Sequence, residues 1–267
     1  MLSKKSLLHS IIEDGYWRNA AKDLFYFYET DAPSNVIKSY IFAYFKNSQI
    51  TKIFLPDKYR FRKETLSLTV SHDWFTRHIP FWLSVFSEYG LANKDELLVL
   101  EIGSWEGLSS YFILDKLPNA RLTCVDPWSG SYEHKIGGLA TVEEVKNSEM
   151  LFDLNLEKYQ DRLLKYKGSS LLFFTEPFPP KLFNLIYVDG SHHCDDVMID
   201  LIKCFEMLAP RGIMIMDDYF WRELPIAGEN PAAAINAFLR LKKGQYKIIR
   251  IYYQLIIEKI VLNEVVN

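Results

Sequence analysis

Acidic residues and histidines directly follow apolar segments in the second half of the chain. The segment LFNLIYVD ends in Asp189, with His192 and His193 just beyond it, and GIMIMDD ends in Asp217 and Asp218. A histidine with a pKa near neutrality can take the proton of a hydroxyl group. Crowded carboxylates repel one another unless protons or a hard cation such as Mg²⁺ compensate. These residues are therefore candidates for a general base, for a metal site, or for both.

Roles within this group follow from chemistry and position. We assign His192, rather than His193, as the general base and Asp189 as a second catalytic residue. Asp189, Asp217 and Asp218 are candidate ligands of Mg²⁺, because hard oxygen donors suit that ion. The alternative, of equal weight, is that one of the three caps a loop or a helix and that no metal binds.

A parallel sheet would bring these strand ends to one edge. Apolar runs typical of strands alternate with stretches typical of helices. The predicted strands are 97–102, 121–126, 164–167, 182–189 and 212–218, and the predicted helices are 107–116, 141–163, 194–208 and one that begins at Asn230–Pro231. The runs YKIIRIYY and LIIEKIVL follow and predict an antiparallel hairpin. The expected fold class is α/β, with a doubly wound Rossmann-like sheet.

The turn after the first predicted strand, in LLVLEIGSWEGLSS, has the composition of a ligand-binding loop. Gly103 and Gly107 permit a tight turn, but Trp105 occupies the place of the middle glycine in the dinucleotide-binding pattern G-x-G-x-x-G. The loop is therefore less suited to binding a pyrophosphate than to binding a ligand that has an amine and a carboxylate. Glu101 can accept a hydrogen bond from the amine. Ser109 and the amides at the helix N-terminus can donate to the carboxylate.

The pattern E-x-G-x-x-x-G-x-S, formed by Glu101, Gly103, Gly107 and Ser109, resembles the first motif of class I S-adenosylmethionine-dependent methyltransferases. Further on, LIYVDGSHHCDDVMIDL and RGIMIMDDY closely resemble the family called type 24, which includes sugar and antibiotic-tailoring O-methyltransferases. HDWFTRHIPFW is similar to the segment that precedes the domain in such proteins. The resemblance implies S-adenosylmethionine as the cofactor. It implies as methyl acceptor a hydroxyl group of a small molecule, such as a sugar or a natural product.

The resemblance also implies roles for individual residues around the cofactor. Asp126, at the end of the second predicted strand, would bind the ribose hydroxyls, with a simple strand-end cap as the alternative. Trp128 would pack against the adenine, and Ser169 would contact the adenine edge. The full implied cofactor-binding set is Glu101, Gly103, Ser104, Gly107, Ser109, Asp126, Trp128, Ser169 and Asp189.

Composition narrows the function class. A formal net charge of −3 gives no electrostatic reason to expect a nucleic-acid partner. No stretch approaches the roughly 18–20 apolar residues that a membrane span needs. Three cysteines without metal-ligand spacing favour a reducing, cytoplasmic environment. Two alternatives to a methyltransferase stay open: a dinucleotide-dependent oxidoreductase and a non-catalytic protein that binds the cofactor.

The chain divides into two parts. Residues 1–65, rich in aromatic side chains, predict a mainly helical extension or cap, and residues 66–267 predict the methyltransferase domain. The aromatic side chains of the extension could supply the surface of a homodimer. His134, in the loop after the second predicted strand, is expected either to line the acceptor pocket or, as is commoner for a lone loop histidine, to lie on the surface.

Overall fold

A computed structural model of the chain describes residues 16–130, 138–176 and 182–261. Seven strands of this part form one sheet: β1 (Leu97–Ile102), β2 (Ala120–Asp126), β3 (Leu163–Lys167), β4 (Phe183–Val188), β5 (Leu208–Met216), β6 (Tyr246–Ile251) and β7 (Leu255–Lys259). The strand order is β3-β2-β1-β4-β5-β7-β6. The first five strands are parallel, and β7 pairs antiparallel with both β5 and β6. The predicted Rossmann-like α/β class and the C-terminal antiparallel pair are confirmed.

Helices precede the sheet and cover its faces. In chain order they are α1 (Tyr16–Glu29), α2 (Ser34–Glu64), α3 (Ile79–Glu88), α4 (Leu108–Lys116), α5 (Val142–Asn155), α6 (Ser170–Phe173), α7 (Cys194–Met207) and α8 (Pro231–Leu241). None of the helices in the described ranges combines the length and the hydropathy that crossing a membrane requires.

The sheet has a hydrophobic core on each face. Successive side chains of β1 point to opposite faces, so Val99 packs in the core that contains Trp82 and Phe112, whereas Leu100 packs in the core that contains Phe238. Both faces are covered, which explains why a central strand such as β1 is apolar without alternation. The apolar run that opens the LLVLEIGSWEGLSS segment is therefore a central strand.

The helix expected over 141–163 is shorter than predicted. It begins as the sequence indicates, because Thr141 and Glu144 form a reciprocal capping box at its N-terminus. It ends at Asn155, and a 3₁₀ turn covers Glu157–Arg162. The buried side chain of Asn155 instead bonds other segments: it accepts from the amide of Thr69 at 3.0 Å and donates to the main-chain oxygen of Glu106 at 2.8 Å. Tertiary contacts thus decide this helix end.

The described part of the N-terminal extension, residues 16–65, packs on the sheet. Tyr26, Phe27 and Val36 are buried in the same core as the strands and α8. Phe61, near the end of α2, is buried in the core on the other face, at 5.2 Å between ring centroids from Phe112. The division of the chain at residue 65 stays a prediction.

The strand order reverses between β1 and β4. The chain leaves β1 towards β2 on one side, while β4 and β5 lie on the other side. Loops that diverge at such a point leave a crevice beyond the carboxyl ends of the strands, where ligands bind in this class of sheet. The residues after Ile102 and Val188 therefore lie at the mouth of this crevice.

Candidate active site

A cavity of about 640 Å³ occupies this crevice. Its walls come from the loops after β1, β2, β3, β4 and β5 and from the segment before α3. Pockets of about 300–1,000 Å³ typically hold small ligands. The cavity therefore has room for a nucleoside-sized molecule, and the loops around it carry most of the residues that the sequence singles out.

Gly103 and Gly107 shape the loop after β1. Contacts with neighbouring parts of the protein explain why glycine occupies both positions. Both have left-handed φ angles, +84° and +83°. A Cβ on Gly103 would lie 1.8 Å from the main-chain oxygen of Asp189, and one on Gly107 would lie 3.1 Å from Phe152 and Leu156 side-chain atoms. Glycine is required at residue 103 because the loops after β1 and β4 touch there. Gly103 also lines the cavity, and its predicted contact with the cofactor stays a prediction.

Glu101 lies behind this loop and not among the described residues that line the cavity. Its fully buried carboxylate accepts from the hydroxyls of Ser104 at 2.9 Å and Ser109 at 2.6 Å, and also from Ser110. Burial raises the pKa of Glu101, and the serine hydroxyls partly oppose that rise. The direct contact with a ligand amine expected for Glu101 does not fit this geometry. Glu101 instead holds the loop, and Ser109, which does line the cavity, donates to Glu101.

Asp126 fastens the same loop from β2. Its Oδ2 accepts from the amides of Ser104 at 2.8 Å and Trp105 at 2.9 Å, and its Oδ1 accepts from the amide of Trp128 at 2.6 Å. The residue also lines the cavity. A carboxylate has about four acceptor sites, so one is left for a ligand hydroxyl. The strand-end cap is therefore present, and the ribose contact stays a prediction that this position permits.

Trp128 does not take the place expected for it. Its indole is buried against Phe152, with ring centroids 4.9 Å apart, and its Nε1 donates to the main-chain oxygen of Trp105 at 2.8 Å. Its backbone has a left-handed φ of +48°, and Trp128 is not among the described residues that line the cavity. The predicted packing of Trp128 on adenine does not fit this structure. Ser169 does line the cavity, where it caps α6 by accepting from the Leu172 amide at 3.3 Å.

His192 and Asp218, which both line the cavity, form a close pair. Imidazole Nε2 lies 2.7 Å from Asp218 Oδ2. The imidazole ring stacks on the indole of Trp221, with centroids 4.5 Å apart and an interplanar angle of 15°. Burial acts to raise the pKa of Asp218, but the hydrogen bond and the charge of His192 outweigh it and the pKa is lowered. An imidazole oriented by a carboxylate is the arrangement of a general base.

Asp189 and Asp217 are bridged by the hydroxyl of Tyr187. That oxygen lies 2.6 Å from Asp189 Oδ2 and also contacts Asp217 Oδ2. A phenol has one proton to donate, so the second contact requires a protonated carboxyl group. Burial, together with the charge of Asp218, raises the pKa of Asp217 to about 7. Burial and the charges of Asp217 and Asp218 raise the pKa of Asp189 well above its usual value.

The candidate metal ligands differ from the predicted set. Among the described residues, Asp189, His192 and Asp218 each offer a ligand atom within 4.8 Å of the others. Asp217 is not in this group, because its oxygens accept from Tyr187, from Gln254 Nε2 at 2.6 Å and from the Asp218 amide at 2.6 Å. Consecutive residues at a strand end point in different directions, and only one of the two aspartates reaches the group.

Residues 100–219 match the family model Methyltransf_24, described as a methyltransferase domain. This stretch, 100–219, is similar to the methyltransferase domains of that family, and the sheet has the fold of class I methyltransferases. A curated relative is the uncharacterized protein R132 of Acanthamoeba polyphaga mimivirus, which is 25% identical over 132 residues, or 48% of this chain and 56% of R132.

Two solved structures of other proteins have a fold similar to that of this chain. MycE methyltransferase from the mycinamycin biosynthetic pathway, in complex with Mg and SAH, has a TM-score of 0.52 and 16% identity over 77% of this chain and 55% of MycE. A Klebsiella pneumoniae protein, provisionally called an O-methyltransferase, has a TM-score of 0.50 and 12% identity over 79% of this chain and 89% of its own. The chain thus spans little more than half the length of R132 and MycE.

Four further residues line the cavity, and the sequence analysis did not assign them to the site. His72 stacks on Trp74 with centroids 4.8 Å apart, and the Arg77 guanidinium lies 3.8 Å from the ring centroid of Tyr253. All four line the cavity. Three of them belong to the segment HDWFTRHIPFW. The similarity of this segment to the one that precedes the domain in type 24 proteins was the sequence signal that could have identified them. His134 lies outside the described residues.

Proposed function

We propose that this protein transfers the methyl group of S-adenosylmethionine to a hydroxyl group of a small molecule, such as a sugar or a natural product, with His192 as the general base. The observation that carries the proposal is the 2.7 Å contact between His192 and Asp218 in the same cavity as the loop after β1. MycE, which shares the fold, has been crystallised with Mg, SAH and mycinamycin VI.

The cavity offers a place for each part of the cofactor. The amino-acid tail would lie at the N-terminus of α4, where main-chain amides favour a carboxylate. Asp126 would accept from a ribose hydroxyl, and Ser169 would lie near the nucleobase. When bound there, S-adenosylmethionine supplies a methyl group on a positively charged sulfur, so the protein has only to position and activate the acceptor.

His192 would perform that activation. With Nε2 held by Asp218, the imidazole would receive the proton of the acceptor hydroxyl. The oxygen that has lost its proton would then be the nucleophile to which bound S-adenosylmethionine supplies its methyl group. Asp218 stabilises the imidazolium that results, and the proton passes to solvent afterwards. Trp221, stacked on the ring, keeps the imidazole in place.

Mg²⁺ fits the described residues poorly. The predicted three-aspartate set loses Asp217 to Tyr187 and Gln254. The group that does converge includes an imidazole nitrogen, which suits transition metals better than Mg²⁺. A histidine that coordinates a metal could not also take the acceptor proton. We therefore propose proton transfer to His192 as the route of activation. The cytoplasmic location, the homodimer and the lack of a nucleic-acid partner stay predictions.

Thermal unfolding in the presence of two nucleotides tests the proposal. A ligand that binds only the folded state raises the melting temperature. We expect S-adenosylhomocysteine to raise it and NAD to leave it unchanged. A saturating concentration of S-adenosylhomocysteine that gives no shift would overturn the cofactor assignment. Repeating the titration after EDTA treatment should give the same shift, and a loss that Mg²⁺ or Mn²⁺ restores would favour metal activation.

A further inference from the structure

Helix α2 has an inner face and an outer face. Val36, Ile50 and Phe61 are buried on the inner face and are separated by whole helical turns. Between them, Asn47 donates to the main-chain oxygen of Ile251 at 2.9 Å, so this face packs on the sheet. Residues half a turn away from the buried stripe point to the other side of the helix. They form the outer face, which includes Lys38, Ile41, Phe42, Lys52, Ile53 and Tyr59.

The outer face exposes large apolar side chains. Phe42 is 79% exposed and Ile53 is 65% exposed. Ile41 and Tyr59, on the same face, are 53% and 55% exposed. A single exposed apolar residue is ordinary, but a row of them along one helix face marks an interaction surface. The outer face is therefore a candidate docking surface.

The outer face also carries positive charge and no carboxylate. Lys38 and Lys52 lie on it and are exposed, and Lys63 continues it near the end of the helix. The two acidic residues of α2, Asp57 and Glu64, lie to the side of this face. A partner must therefore offer negative charge near the lysines and an apolar environment for the side chains between them.

Charge complementarity selects among the possible partners. In a symmetric dimer the same face supplies both sides of the contact, so the lysines would meet only lysines or uncharged side chains and would repel one another. A nucleic acid offers phosphates, but its backbone would leave Phe42 and Ile53 without an apolar environment. A bilayer that contains anionic lipids offers negative headgroups above an apolar interior. The outer face matches this last partner in both respects.

We propose that the outer face of α2 binds the surface of a membrane that contains anionic lipids. The helix lies along the membrane and does not cross it. Phe42 and Ile53 enter the boundary between headgroups and acyl chains, while Lys38 and Lys52 stay near the lipid phosphates. The proposal is independent of methyl transfer, because the outer face does not contribute to the described lining of the cavity.

Flotation of the full chain with lipid vesicles tests the proposal. The protein should float with vesicles made of equal amounts of phosphatidylcholine and phosphatidylglycerol, and it should not float with pure phosphatidylcholine. Binding should weaken at least about tenfold in about 0.5 M NaCl, because salt screens the lysine charges. The double variant Lys38→Gln, Lys52→Gln should bind at least about tenfold more weakly. Phe42→Ser, Ile53→Ser should weaken binding by a similar factor of about ten, because less apolar surface enters the membrane.

Lys146→Gln, Met150→Ser is the matched control, because both residues are exposed on another helix, α5. It should bind vesicles as the wild-type protein does. Failure of the wild-type protein to bind the anionic vesicles, equal binding to both kinds of vesicle, or wild-type binding by both α2 variants would overturn the proposal. A dimer that Phe42→Ser, Ile53→Ser dissociates, without vesicle binding, would assign the face to a second copy instead. The dependence of wild-type binding on lipid charge decides the matter even where a variant fails to fold.

Discussion

The hydroxyl of Tyr26 donates a hydrogen bond to the main-chain oxygen of Trp221, 3.0 Å away and 195 residues later in the chain. The indole of Trp221 in turn stacks on the imidazole of His192. Arg222, the next residue, pairs with Asp23 of α1 and lies over the Tyr26 ring, 4.2 Å from its centroid. Helix α1 therefore holds the loop that covers the proposed base.

Tyr26→Phe should weaken that support. Loss of the buried hydrogen bond should lower the free energy of unfolding by about 1–2 kcal/mol, because the carbonyl of Trp221 is left without its partner. In a methyl-transfer assay with labelled S-adenosylmethionine and an acceptor found by screening hydroxyl compounds, kcat should fall while the KM for the cofactor stays the same. Tyr28→Phe is the control, since Tyr28 lies on α1 but is 83% exposed. Equal effects of the two changes would argue against a role for this contact.

His192→Gln and Asp218→Asn should slow methyl transfer and leave cofactor binding nearly intact. A general base typically contributes about 10²–10⁴-fold, and Asp218 is expected to contribute through the orientation of His192. The measurements are kcat in the methyl-transfer assay and the affinity for S-adenosylhomocysteine by calorimetry. A His192→Gln enzyme with wild-type kcat would remove His192 as the base.

Gly103→Ala should destabilise the fold strongly. The new Cβ would lie 1.8 Å from the Asp189 main-chain oxygen, so β1 and the loop after β4 would have to separate. We expect a loss of more than about 3 kcal/mol, at the upper end of single substitutions. Gly244→Ala is a matched control, because Gly244 has a similar φ of +82° but nothing within 4 Å of the added Cβ. Its cost should be about 1 kcal/mol, from backbone conformation alone. The free energies of unfolding of both variants, measured by urea denaturation, separate the cost of the steric clash from the cost of the left-handed backbone conformation.

His78 should make the protein less stable in acid. Burial, and then the charge of Arg77, lowers the pKa of His78 from 6.5 to about 3. Above pH 6.5 the residue is neutral in both states and its contribution is fully present. As the pH falls from 6.5 towards 3, the unfolded chain binds a proton that the folded chain refuses, so stability is lost.

Comparison with His78→Gln isolates this effect. Between pH 7 and pH 4.5 the free energy of unfolding of the wild-type protein should fall by about 2–3 kcal/mol relative to the variant. The glutamine side-chain oxygen can reach the position of His78 Nε2, which accepts from Arg77 Nε at 3.1 Å, and can still accept that bond. Parallel pH profiles of the two proteins would show that His78 does not titrate in this range.

The strands and the α/β class could be predicted because a local pattern in the sequence marks each element. Apolar runs such as LLVL and LIYV mark strands buried on both faces, and Thr141 with Glu144 marks a helix start. The end of that helix at Asn155 could not be predicted, because contacts with Thr69 and Glu106, remote in sequence, determine it. Elements were therefore easier to foresee than their ends.

The sequence predicted which loops surround the site, but the contacts of individual residues depend on the direction of each side chain. Sequence spacing could not show that Glu101 turns towards three serines, that Trp128 turns behind Trp105, or that Asp217 turns towards Gln254. The sequence analysis also overlooked Asp200, a buried residue of α7 that lines the cavity. It lies at helical spacing among Val197, Leu201 and Cys204, where an apolar residue would be expected.

Strand β7 lies between β5 and β6, although it is the last of these three to be synthesised. While the ribosome is still translating residues 255–259, β5 has an open edge and β6 lacks its neighbour. Gln254, which precedes β7 and bonds Asp217, arrives at the same late moment. The nascent chain therefore cannot complete the hydrogen bonds that hold Asp217 at the cavity until translation has passed β7.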